Sequence, residues 1–210
     1  MRNAKSALAL LALLGIFLTV GGAAQAEEVA KDTLVPERVL GNADAPITVE
    51  EFVSLTCSHC ASFNNDILPE LKAKYVETGK VKFILRDFPL DGIALRAAAL
   101  ARCMPKEQFY PFITVLFKNQ AQWAFGGNPT QAMIQYAKLG GLGEEKAKAC
   151  TDDAKLMDAI AANIDVYRQK YAIQATPSFV INDGKETLRG AVTVGDFTAV
   201  FDKLLAEAKK

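Results

Sequence analysis

The sequence predicts an α/β fold in which a βαβ unit and a closing ββα unit are separated by an inserted all-helical subdomain. Three observations carry this prediction. Two runs rich in β-branched and aromatic residues, ITVEEFVSL from Ile47 and VKFILRDF from Val81 to Phe88, enclose a segment with helical spacing of its apolar residues. The stretch 92–172 shows only helical periodicity and much alanine. Beyond it, two short strand-like runs flank Asp183-Gly184, a hairpin pattern, and an amphipathic segment closes the chain.

The elements follow in order. Residues 1–26 read as a secretory leader: Arg2 and Lys5 are the positive start, Ala7 to Val20 the apolar stretch, and Ala24-Gln25-Ala26 the small-residue site for cleavage after Ala26. The apolar stretch is shorter than the roughly 20 residues a membrane-spanning helix needs. No cysteine follows the site, which argues against a lipid anchor, and the single arginine is not a twin pair. The first strand starts after Ala45-Pro46 and points at Cys57. From Ala61 to Thr78, Phe63, Ile67, Leu68, Leu71 and Tyr75 share a helical stripe; Pro69 is expected to kink or break it, and Gly79 to end it. Helices are expected over Ala94–Met104, Glu107–Lys118, Thr130–Leu139 and Asp152–Tyr171, with Thr130 and either Thr151 or Asp152 as caps. Strands at Ser178–Asn182 and Glu186–Arg189 and a helix from Val194 to Ala208 complete the order. The expected organisation is a leader at 1–26, one α/β domain built from 27–91 and 173–210, and a helical insertion at 92–172.

Charge excludes one class of function. Lys and Arg total 24 against 24 Asp and Glu. Losing Arg2 and Lys5 with the leader tips the balance slightly acidic, and the charges are interspersed. A nucleic-acid binder concentrates positive charge, and none is concentrated here. The four cysteines meet an oxidising, periplasmic compartment if the chain is exported, so pairing is the expected state. Four allow three connectivities. Cys57 and Cys60 are close enough to form a tight ring, leaving Cys103 and Cys150 for a structural disulfide.

The run Cys57-Ser58-His59-Cys60 falls at the predicted strand-to-helix junction. There, helix amides and the macrodipole favour a thiolate on the first cysteine, while the second lies one turn inside, shielded but within bonding reach. Cys57 is therefore the expected nucleophile and Cys60 the resolving thiol. His59 is the only histidine, and an imidazolium beside Cys57 is expected to stabilise its anion. A stabilised thiolate favours the reduced state and so makes an oxidant, and it is also a good leaving group. Haem attachment requires histidine directly after the second cysteine, where Ala61 stands. A zinc site needs two further ligands, which only Cys103 and Cys150 folded over the motif could supply. A thiolate copper carrier stays open; the scattered Met104, Met133 and Met157 read as helix filling. No metal or cofactor is predicted.

A second element lies at Ala175-Thr176-Pro177-Ser178-Phe179, before a strand and after the insertion. In a thioredoxin-like arrangement this loop faces the redox pair, and a cis peptide before Pro177 exposes backbone groups able to pair with an extended client. CSHC after EEFVSLT, the RDFPL run at Arg86–Leu90 and ATPSFVI at Ala175–Ile181, in this order, resemble the DsbA family over roughly Val39 to Leu205. The resemblance implies a thioredoxin-like fold with a helical insertion. It also implies an exported dithiol oxidase acting on reduced, unfolded secreted proteins and reoxidised by a DsbB-like or functionally similar membrane protein. By position, Cys57 is the attacked sulfur, Cys60 resolves, His59 and Ser58 tune the pair, and Thr176 with cis-Pro177 contacts clients. Glu51 matches a buried acidic residue that aids proton transfer, with the neighbouring Glu50 as the competing candidate for the buried side. Some members carry a bridge like Cys103–Cys150. Ser58 departs from the proline of the strongest oxidants, which leaves the strength of oxidation open. The rival readings are an isomerase or reductase of the same fold and, from another class, a copper carrier or peptide-binding chaperone. The short segment ahead of the first strand leaves no room for a dimerisation region, so a monomer is expected.

Overall fold

The computed structural model describes residues 35–208; the expected leader and its cleavage after Ala26 lie outside the described residues. A five-stranded sheet forms the centre. Its strands are β1 (Val39–Leu40), β2 (Ile47–Val53), β3 (Val81–Asp87), β4 (Ser178–Ile181) and β5 (Glu186–Arg189). They lie in the order β1-β3-β2-β4-β5, with β2 and β3 parallel and every other pair antiparallel. Strands β2 and β3 are interior to the sheet and buried along most of both faces, which explains the continuous apolar run at Phe83–Leu85 and the adjacent buried Phe52 and Val53. The edge strand β1 is two residues long and was not anticipated; no alternation can be read over so short a run.

Helix α1 follows β2 as four successive stretches, α-helical at Ser58–Ser62 and Leu68–Leu71 and π-helical at Phe63–Ile67 and Lys72–Val76. The chain does not break at Pro69. The wide turn before it closes with Leu68 N–H bonded to Phe63 O, so the residue lacking an N–H falls in the first turn of a new α-helical stretch, where that donor has no partner to lose. After β3 come α2 (Gly92–Arg102), α3 (Phe109–Lys118), α4 (Gln120–Trp123), α5 (Pro129–Leu139), α6 (Glu144–Thr151) and α7 (Ala154–Tyr171); α8 (Val194–Glu207) closes the fold. The short α4 and the charged α6 were not anticipated. Caps also differ from expectation: Asn128 accepts from Gln131 N–H and Asp153 from Leu156 N–H, displacing Thr130 and Thr151 or Asp152 from that role.

Two layers cover the sheet. On one face α1 and α8 pack Phe63, Leu71, Tyr75, Phe197 and Phe201 against Val49, Phe83 and Phe179. The rings of Phe63 and Phe179 are 4.5 Å apart, and those of Phe179 and Phe197 meet edge to face at 4.9 Å. On the other face α7 lays Ile164, Tyr167 and Tyr171 over Phe52, Phe88 and Val180. The last helix of the 92–172 segment thus doubles as a layer of the α/β domain. The remaining helices form their own core around Phe109, Phe112, Leu116 and Trp123, and this core reaches Val53, Leu55, Leu85 and Cys60. The end of α2 is tied to β3 by a buried ion pair in which Arg102 Nε donates to Asp87 Oδ2 at 2.6 Å. The other guanidinium nitrogens of Arg102 donate to the carbonyls of Pro36 and Leu85.

Candidate active site

Cys57 is the N-cap of α1, with extended φ −79° and ψ 121°. A tight turn leaves β2 and delivers it there: Cys57 N–H donates to Ser54 O at 3.1 Å, and Ala61 N–H returns to Cys57 O at 3.1 Å. The geometry places the half-buried Cys57 sulfur at the start of the helix and Cys60, one turn on, fully inside the core. Both thiols are free, and Cys57 is held down to about 5. The largest cause is a hydrogen bond from the Cys60 thiol. Partial burial opposes it, and the Thr176 side chain and the amides of Cys60 and His59 add to the lowering. Burial and the neighbouring Cys57 push Cys60 well above the ordinary thiol range. The two sulfurs are thereby separated into an anionic, accessible one and a protonated, hidden one.

His59 contributes to the pair through its main chain. Its imidazole and the Ser58 hydroxyl are both on residues open to solvent, and what reaches Cys57 from His59 is the backbone N–H. The first turn of any helix aims its amides this way, whatever the side chain.

The 173–177 loop lies across from the pair, with a cis peptide between Thr176 and Pro177. In the thiol form Cys57 Sγ donates to Thr176 O at 3.3 Å. The Thr176 hydroxyl is buried with no acceptor for its hydrogen, so it is poised to donate once Cys57 ionises. The carbonyls expected to be offered to clients are largely engaged: Ala175 O accepts from Ser178 Oγ, Thr176 O from Cys57 and Pro177 O from Gly190 N–H. Only the Thr176 carbonyl is released by chemistry at the site, when Cys57 loses its thiol hydrogen.

Of the two adjacent glutamates, Glu51 is buried and Glu50 is not. Glu51 shares the face of β2 with Val49 and Val53, the side covered by α1 and the helical core. Its Oε1 has no hydrogen-bond partner, and burial pushes the carboxyl up to about 8. Glu50 points the opposite way, where it accepts from Arg86 Nε at 2.7 Å and from Tyr171 Oη at 2.8 Å. Cys103 and Cys150 are bonded to each other, joining the C-cap of α2 to α6. They are therefore not available as metal ligands beside the pair, and among the described residues no group of three or more His, Cys, Asp or Glu is placed to hold a metal ion.

Sequence reading missed the groups that fix the turn before Cys57. Thr56 Oγ1 donates to Asp91 Oδ2 at 2.6 Å, while the other oxygen of Asp91 caps α2 through Ala94 N–H. Gln120, from the insertion, also bonds to this turn. The Asp91-Gly92 pair ahead of an apolar helix was a recognisable cap pattern; nothing local marks Gln120.

A strand–helix junction carrying a free dithiol, faced by a cis-proline loop and flanked by a helical insertion, defines a thioredoxin-type redox protein. The sequence profile described as Thioredoxin matches residues 33–203, and the chain belongs to that family. Within it the likeness is to DsbA proteins. The crystal structure of Wolbachia pipientis alpha-DsbA1 superposes with a TM-score of 0.75 at 34% identity, covering 85% of this chain and 96% of that one. Oxidised BdbD from Bacillus subtilis superposes with a TM-score of 0.72 at 26% identity, over 83% of this chain and 95% of its own. Among curated relatives, a Rickettsia bellii protein named as a protein-disulfide oxidoreductase is 33% identical over 174 residues, 82% of this chain and 66% of that protein. Disulfide bond formation protein D of Bacillus subtilis is 31% identical over 156 residues, covering 69% of this chain and 67% of its own. The chain spans 66% of the length of the Rickettsia bellii relative and 62% of that from Rickettsia felis.

Proposed function

We propose that this chain is an exported thiol:disulfide oxidoreductase that works as a dithiol oxidase, introducing disulfide bonds into reduced, unfolded secreted proteins through Cys57 and Cys60. The observation that carries the reading is the division of the pair, with one half-exposed sulfur at a helix N-terminus and its partner buried. With Cys57 at about 5, its thiolate outnumbers the thiol by roughly a hundred to one at pH 7. The reduced pair is then the favoured one, and electrons flow from client to protein.

The cycle begins with Cys57 and Cys60 bonded. A client thiolate attacks Cys57 Sγ, the accessible sulfur, forming a mixed disulfide and expelling Cys60 as a thiolate. Cys60, whose thiol form is strongly favoured by burial, takes up a proton; Glu51, held near neutrality, is the group proposed to supply it. The second client thiolate then attacks the client's own sulfur in the mixed disulfide, and Cys57 departs as its stable thiolate. The client has lost two electrons and the pair has gained them. A membrane protein of the DsbB kind is the proposed acceptor that restores the disulfide, and the periplasm the proposed compartment.

Client contact is assigned to Thr176 and Pro177, supported by exposed apolar side chains on segments tied to the Cys57 turn. Leu90 N–H donates to Ser54 Oγ, and its side chain is 55% exposed. Phe125, just beyond α4, is 69% exposed. Such side chains suit unfolded chains that present apolar surface. Ser58 is left without an assigned role beyond tuning.

The test is oxidation of a fluorescent dithiol peptide together with equilibrium against glutathione. Rapid oxidation that disappears in Cys57→Ala, with a mixed disulfide trapped by Cys60→Ala, is the expected result. Repair of scrambled disulfides by a dimer, or a potential as low as that of cytosolic reductases, would overturn the oxidase reading. Tight stoichiometric copper binding without thiol oxidation would favour the carrier.

A further inference from the structure

Gln120 opens α4 inside the insertion and is buried, with 6% of its surface exposed. A buried carboxamide must place its two N–H hydrogens or bear the cost of leaving them unpaired. Both are placed on the redox turn: Nε2 donates to Leu55 O at 2.8 Å and to Cys57 O at 3.0 Å. The two carbonyls flank Thr56, so one flat group spans the turn from the end of β2 to the nucleophile. Chemistry fixes the orientation of the amide, since rotation would set its oxygen against two carbonyl oxygens. The side-chain bonds within and beside this turn otherwise come from Ser54, Thr56 and Asp91, the cap of α2; Gln120 holds its main-chain carbonyls from α4. Its own seat is firm: Trp123, in the same short helix, is fully buried and donates Nε1–H to Leu116 O at 2.7 Å.

We propose that Gln120 is a positioning residue of the redox pair: its carboxamide clamps the Leu55–Cys57 turn and so holds Cys57 in the extended N-cap conformation that presents its sulfur to the first amides of α1. Cys57 O is shared between Gln120 and Ala61 N–H, the first bond of the helix. A free turn lets the nucleophile pivot away from the donors that stabilise its anion. The insertion is then a working part of the redox site as well as a cover over it. The role is also specific in chemistry. A residue here must offer two neutral donors to two carbonyls within one flat group, and methionine of equal length offers none. This inference rests on the reading of Cys57 and Cys60 as a working dithiol.

The test is Gln120→Met, with thiolate absorbance titration of the reduced protein, equilibrium against glutathione and thermal melting. The expected result is a Cys57 midpoint raised by about one unit and an equilibrium shifted about tenfold toward the disulfide form, with the Cys103–Cys150 bond intact by mass. A lowered melting temperature with unchanged midpoint and unchanged equilibrium would mean that Gln120 is only structural, and would overturn the proposal. Should the variant not fold, the native protein decides. The Gln120 side-chain amide resonances must then follow the ionisation of Cys57, and indifference to it refutes the clamp. Peptide oxidation by the native protein tests the oxidase reading separately, so a shifted midpoint in Gln120→Met upholds the clamp even where the native protein oxidises nothing.

Discussion

Replacing Glu51 by glutamine should stabilise the protein at neutral pH while doing little of the kind in acid. The carboxyl stands at about 8 in the fold against 4.5 in an unfolded chain, and burial is the sole cause. Between those values the folded state keeps a proton that the unfolded chain releases. Stability from this group is therefore whole below about pH 4.5 and is lost as pH rises toward 8. At pH 7 the loss comes to about 3 kcal/mol, a large share of a typical domain's stability. The glutamine side chain has the same shape and no titrating proton to lose. The measurement is urea unfolding of native protein and Glu51→Gln at pH 4.5 and pH 7, both in the disulfide form. In the disulfide form Cys57 does not titrate, which removes from each curve the stability that a reduced Cys57, lowered from 9.0 to about 5, would add as pH rises. The stability difference between variant and native protein should move by about 3 kcal/mol in the variant's favour from the acidic to the neutral condition. The same difference at both pH values would show that Glu51 is ionised and solvated in the fold, refuting the buried acid and its part in proton transfer.

Three further outcomes are expected. Thiolate absorbance of the reduced protein should titrate near pH 5, and alkylation of Cys57 should be nearly independent of pH from about 6 upward; a midpoint near 9 would remove the basis for an oxidant. Arg102→Met should lower stability by about 3–5 kcal/mol, because it leaves the Asp87 carboxylate buried without its partner; a melting temperature within a degree of the native value would contradict that. Replacing both Cys103 and Cys150 by alanine opens a 47-residue loop and should cost up to roughly 4 kcal/mol by the chain-entropy relation. The Cys57–Cys60 potential should stay where it was, and a displaced potential would make the second bridge a tuning element.

The sequence pattern was most legible where the controlling interactions are local. Apolar spacing located β2, β3, α8 and most of α2, α3, α5 and α7. The β-hairpin was visible in Asp183-Gly184, where Asn182, Asp183 and Gly184 take positive φ. Illegible elements were those without a local apolar period: the two-residue β1, whose existence depends on pairing with Phe83 and Ile84, and α6, whose EEKAKACT sequence is half charged. Pro69 misled for the opposite reason. The local rule that proline breaks helices was sound, but a π turn just ahead of it removed the bond that proline would have broken.

By itself, then, the sequence determined the order of elements, the placing of Cys57 and Cys60 at a strand–helix junction, and the pairing left for Cys103 and Cys150, because each follows from residues near one another or from counting. Tertiary structure decided the electrostatics. The alternation of β2 put Glu50 and Glu51 on opposite faces, but only the packing of α1, α7 and the insertion chose which face was dry. It was likewise the fold that brought Gln120 to carbonyls 63 and 65 positions away and Thr176 to a sulfur 119 positions away. Contacts at such separations have no periodicity to betray them; of these, the Thr176 side chain adds to a lowering of Cys57 that is led by the nearby Cys60 thiol.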